Sequence, residues 1–101
     1  MDMSDFHKLS RYRDSSEQAI SLRLKASRTF VSESQVAFAT AVGLKKTTYN
    51  HQEVSGRPSK DVLDYLYLTH EIGPNFILYG DGRRLPADAI EAIAAALPSA
   101  D

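Results

Sequence analysis

One glycine in a twenty-residue stretch sets the narrowest limit on this fold. In SQVAFATAVGLKKTTYNHQE, Ser34 to Glu53, Gly43 separates two segments that each carry helical spacing. Val36, Ala39 and Val42 recur every three residues before it, an apolar stripe on a helix opened by Ser32 or Ser34, whose hydroxyl can accept from a first-turn N–H. Only glycine takes the left-handed backbone of a helix end cheaply. The chain therefore turns sharply at Gly43 and starts another helix near Lys45, running to about Val54. Nowhere do Val, Ile or Thr alternate with polar residues for long enough to argue a sheet. The expectation is an all-α chain of five to six short helices.

The remaining helices rest on the same signals. DSSE, Asp14 to Glu17, pairs a capping oxygen with a Glu three residues on, a helix start. From it Ile20, Leu24 and Ser27 share one face, Arg23, Lys25 and Arg28 lie elsewhere, and the helix ends near Thr29 or Phe30. SGRPS is a loop: Pro58 cannot continue a helix and Ser59 can cap the next. That next helix buries Val62, Leu63 and Leu66, with Tyr67 at the margin. Pro74 suits a helix first turn, and the glycines of YGDG end that helix. Ile90, Ile93, Ala94 and Leu97 make a last apolar face. Residues 1–13 read as a flexible polar and basic arm or a short frayed helix, 14–80 as the main domain, and 81–101 as a C-terminal helix that packs back or contacts a second copy.

Charge is unevenly spread. The net charge is −1 over 101 residues, yet residues 8–60 carry ten Lys/Arg against four Asp/Glu, and residues 61–101 two against seven. A concentrated basic surface points to a polyanion; the alternative is a run of solvated helix faces. No cysteine is present, which removes disulfides and thiolate metal sites and fits a reducing cytosol. No apolar run approaches a membrane span, and MDMSDFHKLS lacks the apolar segment of a signal peptide. His7, His51 and His70 lack i+4 His or Cys partners, so surface histidines account for them better than a metal site. No nucleophile–base order or glycine-rich phosphate loop appears, and Asp61 and Asp64 read as a helix-start acid and a solvated one. Neither an enzyme, a cofactor nor a small-molecule ligand is expected.

The segments SQVAFATAVGLKKTTYNHQE, RPS and IGPNFILYG together resemble the phage repressor-like (Cro/repressor, XRE-type) helix-turn-helix family over about residues 20–80. The matching positions are Ser34, Gln35, Ala39, Gly43 and Glu53. Ala39 allows a close helix crossing, Tyr49 faces inward, and Lys46, Thr47, Asn50 and His51 fall on the opposite face at i, i+1, i+4 and i+5. The resemblance implies that these four contact bases: Lys46 with guanine acceptors, Asn50 with adenine, Thr47 with a thymine methyl or through its hydroxyl, His51 as donor or acceptor. Phosphates fall to Ser34 and Gln35 at a helix N-terminus and to Lys45, Arg57 and Lys60 around it. An ion pair between Arg28 and Glu53 is implied as well. Gln52 departs from the family, which usually buries an apolar side chain there, and Glu71 stands where a glycine is frequent. In function, the resemblance implies a cytoplasmic, nucleoid-associated DNA-binding regulator, a repressor acting as a homodimer on an inverted repeat. The competing expectation is a protein-interaction module, such as the antitoxin of a toxin–antitoxin pair, docking through its acidic C-terminal third.

Overall fold

The computed structural model describes residues 1–32 and 34–98. Every regular element among them is helical: α1 (Met3–Leu9), α2 (Glu17–Val31), α3 (Gln35–Val42), α4 (Lys46–Ser55), α5 (Lys60–His70), α6 (Pro74–Tyr79) and α7 (Ala87–Ala96). The all-α expectation holds, with a seventh helix added at the N-terminus. The last three residues of the expected C-terminal segment lie outside the described residues.

Local chemistry sets most boundaries. Ser16, Ser34 and Ser59 accept from Ala19, Ala37 and Val62 N–H groups and so satisfy first-turn donors of α2, α3 and α5. For α2 this corrects the expected cap: Asp14 instead accepts from the Ser16 N–H, one step upstream. Gly43 ends α3 at φ 91°, and Leu44 N–H closes the corner by donating to the Ala39 carbonyl at 2.8 Å. Pro74 opens α6 and Gly80 ends it.

The 15-residue helix α2 is the centre of the molecule, packed against α7, α4, α6 and α3. Around it Leu24, Tyr49, Val62, Leu66, Ile72, Phe76, Ile77 and Ile93 are fully buried. Phe38 joins this core and tilts against Tyr49 with ring centroids 4.8 Å apart. The apolar stripe of α3 is thus Phe38, Ala39 and half-buried Val42, while Val36 stays 54% exposed. Helix α3 lies one position round from where the three-residue spacing put it. Tyr67 is likewise exposed, so α5 buries Val62 and Leu66 only, with Leu63 partly covered.

Residues 1–13 hold α1 and the turn that follows it. Phe6 on α1 is fully buried and stacks on Phe76 at 5.7 Å, and removing such a ring costs roughly 3–5 kcal/mol. The polar segment after α1 is tied down by Arg23, which the sequence placed away from the core. Arg23 is 1% exposed and donates to the carbonyls of Ser10 (2.7 Å), Arg11 (2.6 Å), Asp14 (2.5 Å) and Ile77 (3.3 Å). Burial lowers its pKa to about 10, partly opposed by Asp14, yet it stays charged at neutral pH. At the other end, Ala89, Ile93 and Leu97 of the α7 region are buried, and α7 packs on α2 and α1. Of the expected stripe, Ile93 and Leu97 are buried within the chain, while Ile90 and Ala94 are only partly covered. No helix among the described residues is long and apolar enough to cross a membrane.

Candidate functional site

Helix α4 carries two opposite faces. Tyr49 is fully buried and Glu53 is 3% exposed, and both point into the core. Four residues on the other side, Lys46, Thr47, Asn50 and His51, are all exposed. Their spacing keeps them within one stripe of a ten-residue helix. A helix buried on one side and unobstructed on the other is stiff enough to present polar groups at fixed separations.

What holds α4 is a charged and hydrogen-bonded cluster. The Arg28 Nη2 donates to Glu53 Oε1 at 2.9 Å, with side-chain exposures of 8% and 4%. Ser21 of α2 adds a 2.7 Å bond to the Glu53 carbonyl. Burial first, then the Glu53 carboxylate, push ionisation of the Tyr49 hydroxyl upward, so it remains neutral. The second carboxylate oxygen of Glu53 accepts from Gln35 Nε2 at 2.6 Å, and the same nitrogen donates to Asn50 Oδ1 at 3.0 Å. An unbroken chain of polar contacts therefore runs from α2, through α4 and α3, to the exposed face of α4.

The residues expected at phosphates are not equivalent. Ser34 and Lys45 are exposed, and Lys45 and Lys46 carry no ion pair among the described residues. Arg57 is paired with Glu17, and Lys60 Nζ lies 2.6 Å from Asp64 Oδ2, one helical turn away. Both pairs are solvent-exposed and so hold little free energy, leaving either cation able to exchange its partner for another anion. Gln35 differs from expectation. Both hydrogens of its side-chain amide are spent on Glu53 and Asn50, so only its backbone N–H, in the first turn of α3, is left to meet an anion.

Gln52, the polar residue at a position where an apolar one was expected, has a defined task. It is half-buried, and its Oε1 accepts from the Ser59 N–H at 2.8 Å. An apolar side chain would leave that N–H without this partner, so the amide belongs to this loop. Gly56 explains the rest of the tight passage from α4 to α5. It sits at φ 69°, and a Cβ there would lie 1.9 Å from the Glu17 carbonyl oxygen.

Three contacts had no readable signal in the sequence: Gln35 to Asn50, Gln52 to Ser59, and the Gly82 N–H donated to His7 Nε2 at 3.1 Å. Arg23 had one. Three residues after Ile20 and four before Ser27, it borders the apolar face from which its charge set it apart. Among the described residues no group of three or more His, Cys, Asp or Glu side chains is arranged to hold a metal ion. Comparison with protein-family models, curated proteins and solved structures finds no match to this chain.

Proposed function

We propose that this protein is a sequence-specific DNA-binding regulator of the phage repressor-like helix-turn-helix type, with α3 and α4 as the motif and α4 in the major groove. One observation carries the reading: Lys46, Thr47, Asn50 and His51 form an exposed polar stripe on a helix whose far side is clamped by the buried Arg28–Glu53 pair. An α-helix fits the major groove, where base edges offer a distinct pattern of donors and acceptors for each base pair. The basic Lys45 and Lys46 and the N-terminus of α3 supply the sequence-independent attraction to phosphates.

A homodimer on an inverted repeat goes with this reading, since two-fold partners read half-sites about one helical turn apart. Its contact excludes Ile93 and Leu97, which are buried within one chain. No chemical step is assigned; occupancy of the DNA is the activity, and repression results from occlusion of a promoter.

Selection from a random duplex pool at two salt concentrations tests the proposal. The expected result is enrichment of a short inverted repeat, with affinity falling steeply as salt rises. Lys46→Ala or His51→Ala changes the preferred base at one position, whereas Lys60→Ala weakens all sequences about equally. Absence of enrichment even at low salt removes the regulator reading and leaves a protein-interaction module, such as an antitoxin, as the better account.

A further inference from the structure

We infer that Gln35 is a positioning residue that fixes the polarity of the Asn50 amide, so that Asn50 offers the duplex only N–H donors and selects guanine. The inference rests on the DNA-binding reading and sharpens it: the sequence alone assigned Asn50 to adenine.

The argument starts in the core and moves outward by elimination. Glu53 faces the Arg28 guanidinium at 2.9 Å, and a carboxylate held by a cation is an acceptor only. The Gln35 atom 2.6 Å from its other oxygen must therefore be the amide nitrogen. That nitrogen is also 3.0 Å from the Asn50 side chain, which must present its oxygen to receive the second hydrogen. Each link fixes the next. Because the two amide branches of Asn50 diverge from one carbon, turning Oδ1 toward α3 aims Nδ2 away from it. Nδ2 has no hydrogen-bond partner among the described residues, and Asn50 is exposed.

An amide free to rotate bonds adenine in two places, accepting from N6 and donating to N7. One held with its oxygen turned back loses the accepting half. What remains matches the guanine edge, where O6 and N7 are both acceptors. A phosphate oxygen is also an acceptor, but a contact there carries no sequence preference. Position favours the base: Asn50 lies a full turn into α4, four residues beyond Lys46.

The test is selection from a random duplex pool with four proteins: wild type, Asn50→Ala, Gln35→Met and Asn50→Asp. Wild type is expected to prefer guanine over adenine at one position by about tenfold, the scale of a good base contact. Asn50→Ala erases that preference at that position alone. Gln35→Met, which keeps the side-chain length but frees the amide, shrinks it to about threefold or less and admits adenine. Asn50→Asp still accepts from Gln35 but shows an acceptor outward, and so moves the preference to cytosine, whose N4 is a donor. The aspartate variant changes only an exposed side chain, so it stays informative if Gln35→Met folds poorly. Uniform weakening of all sequences by Asn50→Ala, as a phosphate contact would give, overturns the inference. So does a guanine preference that Gln35→Met leaves intact. A wild-type protein that enriches no duplex overturns the DNA-binding reading itself, and this inference falls with it.

Discussion

Arg28 and Glu53, twenty-five residues apart in sequence, meet at 2.9 Å with both side chains more than nine-tenths covered, and the bond joins α2 to α4. Removing one partner breaks a buried bond between charged groups. Glu53→Ala is therefore expected to destabilise the fold by about 3–5 kcal/mol, the range for breaking a buried pair from one side. It also releases Gln35, so the exposed face of α4 loses its backing. Urea unfolding measures the first effect, and duplex binding at a temperature where the variant is still folded measures the second. An unchanged unfolding midpoint would refute the structural claim outright.

Gly43 and Gly56 are both left-handed helix ends, but they answer to different causes. At Gly43, φ 91°, a Cβ meets nothing within 4 Å, so Gly43→Ala costs only the backbone strain, about 1–2 kcal/mol. At Gly56 the added carbon runs into the backbone of Glu17, which cannot swing aside as a side chain can. Gly56→Ala must push α4 away from the start of α2 as well as strain the chain. Its loss of stability is expected to exceed that of Gly43→Ala clearly, and paired thermal melts decide it. Equal costs would mean that the α2–α4 contact is softer than its geometry indicates.

Much of this fold was legible because its signals are local. Ser34, Gly43, Ser59 and Pro74 each act through backbone groups within a few residues, so a reading along the chain could place the boundaries of α3, α5 and α6. The face of α3 was harder: spacing by three fits Val36, Ala39 and Val42 as well as it fits the face that holds Phe38, and only the ring's fit against Tyr49 decides. Helix α1 was left open between a loose arm and a short frayed helix, because one residue, Phe6, supplies its burial among polar neighbours. In the candidate site, the exposed stripe on α4 comes directly from helical spacing. The bond from Gln35 to Asn50 does not, since it depends on how two helices approach each other and on which way two amides turn.

Arg23 invites a direct measurement of what a buried cation does when it serves carbonyls instead of a carboxylate. Its guanidinium reaches four backbone oxygens that span the end of α1, the following turn and α6. Arg23→Met fills similar volume but leaves those oxygens without their donor, at about 1–3 kcal/mol for each group that water cannot reach. Arg23→Lys can meet fewer of them and lacks the planar fork. The expected order of stability is wild type, then Lys, then Met. Amide exchange should rise first over residues 10–14, where the lost bonds lie. If Met is tolerated as well as Arg, the bonds to these four carbonyls are not what holds the segment after α1.

His7 gives the fold a predictable response to pH. Its Nε2 accepts from the Gly82 N–H, its ring stacks on Tyr12 at 4.1 Å, and Asp81 and Arg83 are the charged groups beside it. Burial lowers its pKa below the ordinary 6.5, with Asp81 opposing and Arg83 adding to the shift. Protonation would also take away the lone pair that receives Gly82. As pH falls through about 6.5, the unfolded chain binds a proton that the folded chain still refuses, so stability declines. Asp81 does not blur that window, because Arg83 first of all holds its pKa at about 2. The contribution is complete above pH 6.5 and is lost on acidification. Urea unfolding of wild type and His7→Gln between pH 7.5 and 5.5 isolates it, since the difference between them cancels the other histidines. Wild type should lose stability more steeply than the variant; parallel curves would show that His7 is as readily protonated in the folded chain as in the unfolded one.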